Sequence, residues 1–129
     1  MERRSLRSPL GRAIGLGSAK TGLDHWWAQR LSAVALVVLG LWLAISIVSL
    51  AGADHAAVVA WLRGPLAAIG MILLLVAAFY HAALGLQVVI EDYVHSEGLK
   101  LASIAGVQLL SVALAVAGVF AVLRIAFGG

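Results

Sequence analysis

Three long runs of apolar positions dominate the chain, from about Leu31 to Ala51, Leu66 to Ile90 and Leu101 to Ala126, and polar residues crowd into the gaps between them. Each run meets the roughly 20 residues needed to cross a hydrocarbon core about 30 Å thick. Each predicts a helix, because a lone segment in lipid can satisfy its own backbone only that way. The pattern therefore predicts an all-α fold of three transmembrane helices over residues 24–129, preceded by a flexible basic arm over residues 1–23. In the first gap, Ala56 to Arg63 predicts a short interfacial helix with Trp61 at the headgroups. Gly64-Pro65 ends that helix, and Pro65 suits the first turn of the next span.

Composition places the chain among integral membrane proteins: of 129 residues, 63% are hydrophobic and only 12% charged. The net charge of +3 does not imply a nucleic-acid partner, because the basic residues gather beside the first span. There are no cysteines, hence no disulfide and no thiolate for an iron–sulfur cluster or zinc. Any such centre belongs to another subunit.

Lys and Arg also set an orientation. Arg3, Arg4, Arg7, Arg12, Lys20 and Arg30 precede the first span, whereas the first loop carries Arg63 alone. Lys100 lies in the second loop and Arg124 near the C-terminus. The bias predicts a cytoplasmic N-terminus and Glu91–Lys100 loop, with the Gly52–Gly64 loop on the other side. Met1 to Asp24 holds no apolar core of a signal peptide. "GLGSAKTG" has the look of a phosphate loop, but Ala19 replaces the glycine before the lysine and no strand precedes it. It reads as part of the arm.

Against this background one histidine is out of place. His81 lies about nine residues before the end of span two, roughly 14 Å deep and close to mid-bilayer. Imidazole at that depth either hydrogen-bonds across helices or ligates a metal or haem. Gly85, one turn on, leaves room for a flat macrocycle or for a neighbouring helix. Asp92 lies about 20° from His81 around the helix and Tyr93 about 120°. Both suit a membrane interface, and both suit a site for a lipid-soluble carrier with polar head groups. In "LDHWWAQR", Asp24 is a candidate N-cap, and Trp26 and Trp27 fit the cytoplasmic interface. Arg30 either snorkels to lipid phosphate or pairs with a carboxylate such as a haem propionate. His25, His55 and His95 fall outside the apolar runs and need no special role there. A second haem-ligating histidine would therefore come from another chain. Ala113, Ala117 and Ala121 form a thin face on span three that suits close helix packing, within this chain or beyond it.

The segments "HAALGLQVVIEDY" and "HWWAQRLSAVAL", with three spans and a cytoplasmic N-terminus, resemble the small cytochrome b-type membrane anchor of succinate dehydrogenase, respiratory complex II. The resemblance covers roughly Asp24 to the C-terminus. It implies one half of a heterodimeric haem-binding helix bundle. The partners it implies are a sister membrane anchor, an iron–sulfur protein and a flavoprotein. By likeness, His81 is one axial ligand of a shared haem b, and Arg30 lies near its propionates. Tyr93 and Asp92 belong, by the same likeness, to a ubiquinone-reduction site. The location implied is the bacterial inner membrane or its mitochondrial equivalent. Succinate oxidation belongs to the flavoprotein, so this chain alone holds no complete active site. The residues also fit a fumarate reductase-type anchor, a cofactor-free scaffold, or a small transporter component with His81 and Asp92 as a proton relay. Their separation of roughly 16 Å along the axis is long for direct proton exchange.

Overall fold

A computed structural model describes residues 18–128, with side chains from residue 22 onward. The first 17 residues of the basic arm, with Arg3, Arg4, Arg7 and Arg12, lie outside the described residues. Four helices follow in order: α1 (Ser18–Ser49), α2 (His55–Arg63), α3 (Pro65–Tyr93) and α4 (Glu97–Ala126). Gly22–Ser49, α3 and α4 are each long and apolar enough to cross a membrane. α2 is the short helix expected between the first two.

The helices extend past the apolar runs. α1 begins well before Leu31, so Ser18–Leu23, which the sequence pattern assigns to the arm, form its first turns. Asp24 therefore lies within the helix and is not its N-cap, a correction to the sequence pattern. α3 carries Glu91, Asp92 and Tyr93 as its last turn. Apolarity marks where hydrocarbon ends, whereas a helix ends where its caps are.

The caps are local. Asp54 has extended backbone (φ −80°, ψ 173°) and accepts a hydrogen bond from the Ala57 amide at 2.9 Å, which starts α2. Gly52, at φ 81°, makes the left-handed turn that joins α1 to it. Gly64 closes α2 and opens α3, with Pro65 at the first position of α3.

α3 is the hub: α1 and α4 each pack on it rather than on one another, and α2 touches α3 and α4. The α1 positions turned away from lipid fall at His25, Gln29, Ser32, Leu36, Leu39, Leu43 and Ser46, alternately four and three residues apart along one stripe. Ser32 is the one polar residue between Leu31 and Val38, and it is buried, at 7% exposure. α4 uses the stripe Ser111, Ala115, Gly118, Val122 and Ile125. The small-residue face Ala113, Ala117 and Ala121 is exposed on this chain, so intramolecular packing does not account for it.

Two close approaches fix the hub. A Cβ on Gly70 would come within 2.7 Å of the Trp42 ring, so a side chain there would force the ring aside. Trp42 also stacks on Trp61, with ring centroids 5.8 Å apart, which ties α2 to the bundle. On the other side of α3, Leu75 packs 3.1 Å from a notional Cβ on Gly118. Gln108 Nε2 donates to Gln87 Oε1 at 3.2 Å, and Gln87 Nε2 to Glu91 Oε1 at 2.9 Å, a polar link between α4 and α3. Arg63 Nε donates to the Ile125 carbonyl at 3.3 Å, joining the end of α2 to the end of α4.

Among the described residues the buried apolar side chains are only Ala67, Ala68 and Val122. Large side chains such as Leu31, Val34, Leu41, Ile45 and Val48 face outward. Such a surface suits lipid or partner helices, not water.

Candidate functional site

The polar stripe of α1 meets α3 at His81. Ser32 Oγ donates to the Gln29 carbonyl at 3.0 Å, the back-bonding usual for serine in a helix. The same oxygen lies 2.9 Å from His81 Nδ1. The hydroxyl has one proton, which can go to the Gln29 carbonyl or to His81 Nδ1; when the carbonyl takes it, Nδ1–H of His81 donates to Ser32. That tautomer leaves the lone pair on Nε2, the atom able to bind a metal. His81 is half-buried.

Gly85 behaves unlike Gly70 and Gly118. A Cβ there would meet nothing closer than Gln29 Nε2 at 3.9 Å, an ordinary contact. Packing among the described residues does not require a glycine at that position. Further along the seam, His25 Nε2 and Gln29 Oε1 are buried without a hydrogen-bond partner among the described residues. Leaving such atoms unpaired costs about 1–3 kcal/mol each. His25, Gln29 and Ser32 are thus members of the seam that the apolar pattern does not single out. Their spacing of four and three residues is the signal that was available.

The remaining candidates are more dispersed. The Arg30 guanidinium lies over the Trp26 ring, 5.2 Å from its centroid, and makes no ion pair with Asp92 among the described residues. Asp92 and Tyr93 end α3 in exposed positions, with Tyr93 at 78% exposure. Any pocket around Tyr93 therefore needs walls from beyond the described residues. A groove of about 420 Å³ lies between α3 and α4, lined by Val76, Tyr80, Gln87, Gln108 and Val112 among others. It includes none of His81, Gly85, Asp92, Tyr93 or Arg30. No group of three or more His, Cys, Asp or Glu among the described residues gathers as a metal site.

Residues 4–122 match the model of the succinate dehydrogenase/fumarate reductase transmembrane subunit family. The chain belongs to that family. It is 36% identical over 116 residues to the succinate dehydrogenase hydrophobic membrane anchor subunit of Rickettsia bellii, covering 90% of this chain and 93% of that one. The anchor subunit of the same description from Paracoccus denitrificans is 32% identical over 121 residues, covering 94% and 93% of the two chains. That from Rickettsia conorii is 33% identical over 116 residues, covering 89% and 92%. Three apolar helices and this kinship make the chain a multi-pass membrane anchor of the family.

The donor set suits the haem that the resemblance implies. An imidazole half-buried within a span has Nδ1 within hydrogen-bond reach of Ser32, and in the tautomer protonated there its Nε2 can ligate. A glycine beside it serves no packing need among the described residues. A single such histidine could supply only one protein ligand to such a group.

Proposed function

We propose that this chain anchors a succinate:quinone oxidoreductase to the bacterial inner membrane, with its N-terminus in the cytoplasm. Its helices pair with those of a sister membrane anchor, and together they hold one haem b. His81 Nε2 would ligate the haem iron, Gly85 would make room for the macrocycle and Arg30 would neutralise a propionate. The iron–sulfur protein docks on the cytoplasmic side and receives electrons from the flavoprotein, where succinate is oxidised. The observation that carries this reading is His81 itself, half-buried within a span with its Nδ1 2.9 Å from Ser32 Oγ.

The haem, when bound, supplies a one-electron carrier inside the membrane. The chemistry of this chain's own residues lies at the end of α3. Reduction of ubiquinone consumes two electrons and two protons. The Tyr93 phenol donates a hydrogen bond to a quinone carbonyl and keeps the quinone ring at the edge of hydrocarbon. Asp92, on the His81 face and nearer water, passes protons from the cytoplasm to the reduced ring.

A second reading is favoured by the same contact. The His81–Ser32 hydrogen bond also suits a cofactor-free scaffold in which the histidine holds α1 to α3. The visible absorption spectrum of the complex, purified with its partner subunits, separates the two. The haem reading expects the sharp bands of a reduced low-spin cytochrome b after succinate or dithionite. A complex without them leaves His81 as a link between helices.

A further inference from the structure

We propose that Ser32 is a positioning residue for His81, setting the imidazole tautomer and the donor strength of its Nε2. This rests on the haem reading above. Among the described side chains of α1, Ser32 and Ser46 are buried. Ser46 Oγ donates to the Trp42 carbonyl in its own helix at 2.8 Å, and that satisfies it. Ser32 makes a similar bond to Gln29 and in addition receives a side chain from 49 residues away on α3. With the Gln29 carbonyl taking the hydroxyl proton, the Ser32 oxygen is the acceptor toward His81.

The order of donors has a chemical consequence. In the order we propose, His81 Nδ1–H donates to Ser32 across 2.9 Å, the Ser32 O–H donates to the Gln29 carbonyl across 3.0 Å, and each bond polarises the next. Electron density shifts from the Nδ1–H bond into the ring, which makes Nε2 a stronger donor to iron. A stronger donor favours the ferric over the ferrous state. The reverse order, with Ser32 donating to Nδ1, would place the proton on Nε2 and block ligation.

The test uses the assembled complex carrying Ser32→Ala or Ser32→Thr, with three readouts: haem per complex, haem midpoint potential and the electron paramagnetic resonance spectrum of the oxidised haem. Loss of an orienting partner of this kind typically weakens metal binding about 10–100-fold. The alanine variant is expected to lose haem more readily, to show an upward shift in potential and to change its resonance spectrum. The threonine variant keeps the hydroxyl and is expected to match the parent. Ser32→Cys keeps the volume but offers a poor acceptor, and it is expected to shift the potential upward even where the alanine variant fails to assemble. Unchanged haem content, potential and spectrum in the alanine or cysteine variant would overturn the role of Ser32 while the haem reading stands. A parent complex without haem would overturn the haem reading itself, and this role with it.

Discussion

Gly70, Gly85 and Gly118 are helical glycines of one chain, yet they differ in what surrounds them. Trp42 leaves no space for a methyl group at Gly70, Leu75 leaves little at Gly118, and at Gly85 a methyl group meets only an ordinary contact. Alanine is favoured over glycine within a helix by about 1 kcal/mol. Gly85→Ala is therefore expected to leave the stability of the assembled complex unchanged or slightly raised, and to lower its haem content. Equal haem in parent and variant, measured by pyridine haemochrome, would show that Gly85 makes no room for the macrocycle. The role of Tyr93 turns on a single hydroxyl. A lost hydrogen bond to a neutral partner is about 0.5–1.5 kcal/mol net, or up to roughly tenfold in affinity. Tyr93→Phe should impair ubiquinone reduction by up to about that factor, while succinate oxidation with a soluble artificial acceptor continues. Unchanged kcat and KM for ubiquinone would return Tyr93 to the role of an interfacial aromatic.

Among the helices, α3 is packed on two sides, whereas α1 and α4 each meet it from one. The tightest approach on it is Trp42 against Gly70, and that ring is also stacked on Trp61, so it cannot easily move aside. Overpacking of this kind typically costs about 1–3 kcal/mol. Gly70→Ala should lower the thermal stability of the complex, and pairing it with the smaller ring of Trp42→Phe should recover part of the loss. A Gly70→Ala variant as stable as the parent would mean that α1 and α3 can separate here without cost. The three spans, the short α2 and the Gly64-Pro65 break are all legible in the sequence, because apolar run length and proline chemistry are local signals. The helix ends are less so. Asp24 looks like a cap because apolar residues begin soon after it, but the chain is already helical six residues earlier. Of the candidate site, His81 and Gly85 stand out in the sequence by depth and spacing. Ser32 does not: it is the second residue of the first apolar run, and only the start of α1 at Ser18 and the 2.9 Å contact set it level with His81.

Taken whole, the chain is an open arrangement with little core of its own. Ala67, Ala68 and Val122 are modest in size, and most large apolar side chains face outward. The N-terminal end of α1 and the turn between α3 and α4 share one end of the bundle, as three spans require. α2 and the C-terminal end of α4 share the other, joined by Arg63 and Ile125. The proposed cytoplasmic placing of the first end rests on the basic residues gathered there. The chain has no cysteine, so a single Ser96→Cys substitution gives a clean label for that end. An impermeant thiol reagent should reach it from the cytoplasmic side of inverted vesicles and not from outside intact cells. Labelling from the outside alone would reverse the orientation.

Ligation of haem by His81 underlies the whole functional reading, and His81→Ala probes it without intermediaries. The variant complex should first be shown to be assembled, by succinate oxidation with a soluble acceptor in the membrane fraction. Its visible and paramagnetic resonance spectra are then compared with those of the parent. The expected outcome is that the low-spin haem b signal is lost or converted to a high-spin form in a complex that is otherwise assembled. An assembled variant with an unchanged low-spin spectrum would contradict the assignment.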